Sequence, residues 1–275
     1  MSRMYIKWTK EELKFLKKNY TSKSKDYLIK HLRNRKWGAI TKKAQILNLS
    51  NWGRLKKMSD ISILLEETPE SYYWMGFLMA DGHFSDRRVS LTISEEDLPH
   101  LLKFKKYVNS KNTITKLKKE NCYRVKMASV NDVKKIKDKF KISSKKTYEP
   151  CGLNHIEDKD LLFCLIMGLI DGDGSVYKNK KCDAYQLTFT MHSSWVENLN
   201  HIKTFLYTYF NEEDKTMPAR TKAVFTYMPQ DKNKIKKYYD VSYMYICKKT
   251  LLRKIRTKAE ELKIPFMKRK LGKIN

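Results

Sequence analysis

Apolar positions along the chain follow two periods, and each predicts its own elements. In residues 1–48, Trp8, Leu13, Leu16 and Tyr20 recur at helical spacing. Thr9, with Glu12 three residues on, forms a capping box that starts this first helix. Tyr27, Leu28 and Leu32 predict a second short helix over about 25–31. Ile40, Ala44 and Leu47 predict a third over about 37–47. Residues 49–68 carry no clear period. Ser50, Asn51 and Gly53 mark them as a linker, in which Trp52 packs on a neighbour or follows a groove.

From residue 69 onward one plan runs twice. "SYYWMGFLMADG" (71–82) predicts an apolar helix and short strand material next, turning near Asp86 and Arg87. "RVSLTIS" (88–94) then alternates like a strand, with Val89, Leu91 and Ile93 on one face and Arg88, Ser90, Thr92 and Ser94 on the other. A helix over about 95–108, strands near 112–118 and 122–128, and a helix near 130–140 complete the first copy. The second opens with "DLLFCLIMGLIDGDG" (160–174) and a strand near 175–178. "YQLTFTMH" (185–192) follows, with Leu187, Phe189 and Met191 inward and Gln186, Thr188, Thr190 and His192 outward. A helix over 194–209, strands near 221–228 and 239–247, and a helix near 248–263 close it. The predicted fold class is therefore α+β. Two αββαββα repeats (69–150 and 151–275, the second with a basic C-terminal tail) follow a small all-α domain (1–48) and a linker (49–68).

Charge changes what these polar strand faces are for. The chain of 275 residues has 58 Lys+Arg against 30 Asp+Glu, a formal net charge of +28. Residues 1–60 alone carry 17 basic and 4 acidic side chains. Such an excess suits a polyanion, most simply a nucleic-acid backbone. The outward row Arg88, Ser90, Thr92 and Ser94, the matching row Gln186, Thr188, Thr190 and His192, and Arg124 and Lys126 of the fourth strand are then candidate contacts to DNA. Lys42 and Lys43, on the polar side of the third helix, are candidates of the helix-turn-helix kind. The cysteines (Cys122, Cys151, Cys164, Cys182, Cys247) form no C-x-x-C pair, which argues for reduced thiols and against a zinc site. The longest apolar run, Leu161 to Ile170, is too short to span a bilayer, which takes about 20 residues, so no membrane partner is expected.

The two apolar helices align residue by residue. In "WMGFLMADG" (74–82) and "IMGLIDGDG" (166–174), Gly76 matches Gly168, Ala80 matches Gly172, Asp81 matches Asp173 and Gly82 matches Gly174. Small residues four apart make a smooth stripe that lets two helices approach with their backbones close. If the stripes face each other, Asp81 and Asp173 arrive together at adjacent helix ends. Gly82 and Gly174 then supply the left-handed or close-approach backbone just beyond. Two carboxylates there repel each other and the helix dipole, unless a hard cation such as magnesium joins them. A single Asp-Gly after a helix is a common terminator; two in matching surroundings point to a site. Asp171 matches Met79, so it is expected to cap or hydrogen-bond locally.

These residues resemble the LAGLIDADG homing endonuclease family in its single-chain, two-motif form, over about 69–265. The opening 45 residues resemble Myb/SANT-like and related phage trihelical domains. The resemblance implies a pseudo-twofold pair of repeats whose saddle-shaped antiparallel sheets straddle double-stranded DNA. It implies a staggered double-strand cut by metal-ion phosphodiester hydrolysis. Two or more Mg²⁺ ions would be held by Asp81 and Asp173 with the carbonyls of Ala80 and Gly172, and Mn²⁺ or Ca²⁺ would substitute in binding. Lys126 and Lys248, with Glu95 and Ser193, fall where the family places polar or basic groups around the metal, the two lysines as catalytic candidates. Trp74, Met75 and Met79 depart from the family pattern, and the bulkier first helix could bias the order of strand cutting. A monomer acting on genomic DNA inside a bacterium, phage-infected cell or organelle is expected. The rival class is a non-cutting binder on the same fold, an RNA maturase or a transcription regulator; loss of either aspartate would have favoured it. An endonuclease released from an intein would show a His-Asn-nucleophile junction, which "KRKLGKIN" lacks.

Overall fold

The computed structural model describes residues 7–49, 59–117, 121–179, 184–214, 218–228, 231–272 and 274; of residues 179, 184, 222–228 and 231–239 only the backbone is described. Ser50, Asn51, Trp52, Gly53 and Cys182 lie outside the described residues.

Three helices open the chain: α1 (Lys10–Asn19), α2 (Lys25–His31) and α3 (Trp37–Ile46). The Thr9 hydroxyl accepts from Glu12 N–H (3.1 Å), and Thr9 N–H donates to the Glu12 carboxylate (2.9 Å), closing the capping box. Leu16, Tyr20, Leu28, Leu32, Ile40 and Ala44 form a core separate from the rest of the molecule. The Arg35 guanidinium stacks on Trp8 (4.6 Å) and pairs with Glu12 (2.7 Å), tying α1 to the segment before α3.

The second half of the expected linker belongs to the first repeat. Ile61–Leu65 forms a 3₁₀ turn whose Ile61 and Leu64 are buried in the main core. Asp60 N–H donates to Val108 O (2.8 Å). Two apolar residues three apart match no strand or long-helix period, which is why the pattern read as linker.

Each repeat then builds an antiparallel four-stranded sheet. The first is α4 (Pro69–Asp81), β1 (Gly82–Phe84), β2 (Arg88–Ser94), α5 (Leu98–Tyr107), β3 (Thr115–Leu117), β4 (Cys122–Ala128) and α6 (Val130–Lys139), in strand order β1-β2-β4-β3. The second is α7 (Lys159–Gly172), β5 (Gly174–Asn179), β6 (Ala184–His192), α8 (Val196–Tyr209), β7 (Arg220–Met228), β8 (Asp231–Ile246) and α9 (Lys249–Glu261), in the equivalent order β5-β6-β8-β7. A last turn, α10, spans Lys268–Leu271.

Strand register fixes which residues correspond. Gly82 pairs with Leu91 and Gly174 with Phe189, so Ser94 corresponds to His192. Leu91 pairs with Val125 and Phe189 with Met244, so Lys126 corresponds to Tyr245 and Lys248 to Ser129. Lys126 and Lys248 are therefore not a matched pair. Inward residues Val89, Leu91, Leu187 and Phe189 are fully buried, as the alternation predicts.

Candidate active site

The motif helices α4 and α7 cross at their glycines. A Cβ on Gly76 would lie 1.8 Å from the backbone oxygen of Leu165, and one on Gly168 would lie 2.0 Å from that of Tyr73. Towards the helix ends a Cβ on Gly172 would meet the Ala80 methyl at 2.2 Å. Gly76, Ala80, Gly168 and Gly172 thus line the contact itself. Beyond it, Asp81 is the last residue of α4 and Asp173 the C-cap of α7. Gly82 and Gly174 open β1 and β5 with no left-handed backbone, since no described glycine has a positive φ. Close approach alone explains them: a Cβ would sit 2.4 Å from Leu78 O at Gly82 and 2.6 Å from Ile170 O at Gly174.

Both carboxylates remain open to solvent at their tips, yet protein crowds around them. That crowding, reinforced by the Asp173 charge, pushes Asp81 up to about 6. Asp173 is raised by the same burial. Two lysines oppose the rise. Lys146 donates to Met79 O and Ala80 O at 2.6 Å each. Lys270 donates to Asp171 O (2.5 Å), Gly174 O (2.6 Å), Ile170 O and Gly172 O (3.2 Å each). Each ammonium thus caps the C-terminal carbonyls of one motif helix, where the dipole favours a cation. Burial lowers both, and the nearby aspartates oppose the fall.

Neither lysine stood out in the sequence. Lys146 follows α6 and Lys270 lies in the four-residue turn α10, both in stretches too short for a period to mark them. The two lysines that the resemblance implies have other neighbours. Lys248 precedes α9 and pairs with Glu212 (2.6 Å). Lys126 points from β4 into the first saddle. Glu95 pairs with Lys116 (2.9 Å), and Ser193 opens the 3₁₀ turn after β6. The carbonyls of Ala80 and Gly172, expected to help hold ions, each accept a lysine N–H, which leaves one lone pair apiece.

Asp171 departs from the local role expected of it. It is fully buried and accepts from the Tyr73 hydroxyl (2.7 Å) and from Met267 N–H (2.7 Å). The Tyr73 hydroxyl also meets His100 Nε2 (2.8 Å), a histidine that burial pulls down to about 3 and so keeps neutral. The aspartate ties the first repeat to the C-terminal tail across α7.

Lys270→Met should leave four carbonyls short of a donor at a nearly buried position. Loss of about 3 kcal/mol of stability is expected, read as a lower thermal midpoint; an unchanged midpoint would show that solvent replaces the ammonium.

The expected DNA-facing rows do lie together. His83, Ser85, Arg88, Thr92, Arg124 and Lys126 line one shallow trough on the first sheet, with Ser90 shielded beneath them. Arg124 is pinned to Thr92 (2.7 Å). On the second sheet Thr190 is exposed and Gln186, Thr188 and His192 are half-buried. Lys42 is exposed on α3, and Lys43 is half-buried with its ammonium 5.9 Å from the Trp8 ring.

The carboxylate pair fits a hard divalent ion. Two acid groups that burial and mutual repulsion destabilise are a receptor for positive charge. Among the described residues no cluster of three or more His, Cys, Asp or Glu forms a closed cage. An open site suits Mg²⁺, which keeps waters and takes phosphate oxygens. No described helix is long and apolar enough to cross a membrane.

No family model matches the chain, and no curated protein does. Among solved structures it is similar to a mutant of I-SmaMI, at 14% identity over 72% of this chain and 86% of that one, TM-score 0.43. It is likewise similar to the I-LtrWI LAGLIDADG homing endonuclease bound to target DNA (13% identity, 72% and 85% covered, TM-score 0.43). A third is the LAGLIDADG meganuclease I-CpaMI bound to uncleaved DNA (12%, 74% and 88%, TM-score 0.43). At such distance the chemistry of this chain has to rest on its own carboxylates and lysines.

Proposed function

We propose that this chain is a site-specific DNA endonuclease of the LAGLIDADG kind, acting as a monomer on genomic DNA inside the cell. One observation carries the reading. A glycine-lined helix crossing brings two matched aspartates together, with a lysine at each helix end and a polar sheet on either side.

The residues divide the work. The rows through Arg88, Thr92, Arg124 and Lys126 and through Gln186, Thr188 and Thr190 bind and orient a long asymmetric duplex. Asp81 and Asp173 would hold Mg²⁺, which supplies charge neutralisation at the phosphate and a more acidic water. Lys146 and Lys270 hold both helix ends rigid and add positive potential where phosphates approach. A water serves as nucleophile. One carboxylate from each repeat supports a staggered cut of both strands. Retention of both aspartates favours cutting over a non-cutting RNA maturase or regulator.

Incubation of a randomised duplex library with Mg²⁺, followed by sequencing of the ends, is expected to yield one long motif with a short overhang. Uncut DNA at every metal concentration, with tight duplex or RNA binding, would favour the non-cutting reading.

The trihelical unit extends this grip. Residues 1–49 carry 14 basic side chains against 3 acidic. Deleting them spares Ser59, whose hydroxyl is bonded to Ser110 and Asn112. The deletion is expected to weaken duplex affinity and to reduce the slope of log affinity against log salt by roughly 2 or more, at about 0.9 for each phosphate no longer neutralised. An unchanged slope would show that this unit does not touch DNA.

A further inference from the structure

The two flanks of the carboxylate pair are not alike. On the first, Arg269 grips Asp97 (2.5 Å) and Ser94 donates to the same carboxylate (3.1 Å). Asp171 is sealed there against Tyr73 and Met267. On the second flank the position of Ser94 is taken by His192, and that of Asp171 by the apolar Met79. No ion pair closes that side among the described residues. Instead a cleft of about 590 Å³ remains, lined by Met79, Lys146, Tyr148, Asp173, His192 and Trp195.

The His192 ring is held in one orientation. Ser194 N–H reaches its Nδ1 at 3.3 Å and the Ser194 hydroxyl at 2.9 Å. Tyr148, 62% exposed, stands edge-on to it with ring centres 4.8 Å apart. The loop carrying Tyr148 is fixed in turn, since the Trp195 indole N–H donates to Thr147 O (3.2 Å). An Nδ1 that accepts a backbone N–H leaves the neutral ring's proton on Nε2. Nε2 makes no hydrogen bond among the described residues, so the imidazole offers a donor to the cleft it lines with Asp173 and Lys146.

We propose that His192 donates a hydrogen bond through Nε2 to the phosphate cut beside Asp173, and that this donor serves one strand only, so the strands are cut in order. The inference rests on the endonuclease reading above. In the reaction a water oxygen bonds to phosphorus, the P–O3′ bond breaks, and the water's proton ends on the 3′-oxygen; His192 keeps its own proton. Negative charge grows on the phosphate oxygens as the water adds, and a preset donor stabilises it most at that point. On the other flank Ser94 is already committed to Asp97, and Arg269 closes the space.

The test uses the full chain and a supercoiled plasmid carrying a duplex recovered from the wild-type library cleavage, with each strand followed separately. His192→Ala is expected to slow one strand by roughly 100-fold, the scale of one lost donor. The other strand should stay within about threefold, so that nicked circles accumulate. His192→Gln, whose amide nitrogen can occupy the place of Nε2, should recover about tenfold or more of the loss. Duplex affinity and thermal midpoint should match wild type for both variants. Equal slowing of both strands, slowing of neither, no recovery with Gln, or a loss of duplex binding overturns the proposal. A wild-type chain that cuts no duplex overturns the endonuclease reading, and this inference with it.

Discussion

Asp173→Asn and Asp81→Asn are each expected to reduce cleavage by about 10³-fold or more, the scale of losing a principal charge-stabilising group, while duplex affinity holds or rises. Asparagine keeps the shape of the side chain and removes the charge that would hold a cation. Nothing else in the surroundings substitutes: Lys146 and Lys270 are themselves cations, and the Ala80 and Gly172 carbonyls already serve them. The same substitutions should make the fold more stable in EDTA. Asp81 is pushed up to about 6 from 3.8, so its charged form is disfavoured in the folded chain at neutral pH. Replacing it removes that penalty, worth about 1 kcal/mol after allowance for the solvent that reaches its oxygens. The gain is present above about 6, fades as pH falls, and is lost below 3.8, where the wild-type carboxyl is protonated in both states. Activity lost with stability gained separates a working carboxylate from a structural cap, whose loss lowers both. Strand cleavage with Mg²⁺ and thermal midpoints with EDTA measure the two effects; full cutting by either variant would remove the metal assignment.

What the sequence made legible was whatever repeats at a fixed interval. The motif alignment, the alternation of Val89, Leu91 and Ile93, and the capping box at Thr9 all depend on neighbours a few residues away. They appear in the structure as they read. What stayed hidden depends on chain that doubles back. Asp171 meets Tyr73, 98 positions earlier, and Met267 N–H, 96 positions later, so no local rule could reveal either bond. Lys146 and Lys270 perform parallel tasks from the stretch after the last helix of each repeat, but they stand at different distances from it, so a comparison by fixed offset misses both. Lys126 and Lys248 both read as lying near a fourth strand, but pairing of β2 with β4 and of β6 with β8 sets Lys248 three positions out of step with Lys126, at the start of a helix.

The glycine crossing yields the largest expected effect on folding. Gly76→Ala places a methyl group 1.8 Å from Leu165 O, and Gly168→Ala places one 2.0 Å from Tyr73 O. Both obstacles are backbone in the centre of the core, so neither can rotate away; the helices themselves must separate. Each substitution is expected to cost 4 kcal/mol or more, roughly the upper end for single changes that overpack a core. The thermal midpoint should fall by about 8 °C or more, at roughly 2 °C per kcal/mol for a chain of this size. Gly38→Ala gives the contrast. That glycine lies exposed in α3 with nothing within 4 Å of the added methyl, so the change should stabilise the trihelical unit by about 0.5–1 kcal/mol through helix propensity. Gly172→Ala lies between these extremes. Its methyl meets the Ala80 side chain at 2.2 Å, at the half-exposed end of the crossing. There the helix ends can splay without opening the core, which keeps the stability loss near 1–2 kcal/mol, the usual range for modest overpacking. The same splay moves Asp173 away from Asp81, and a displacement of about 1 Å in a reacting site costs on the order of 10²-fold in rate. Gly172→Ala should therefore fold and bind DNA yet cut poorly. A variant that is well folded and cuts at the wild-type rate would show that the spacing of the two carboxylates is not what the crossing sets.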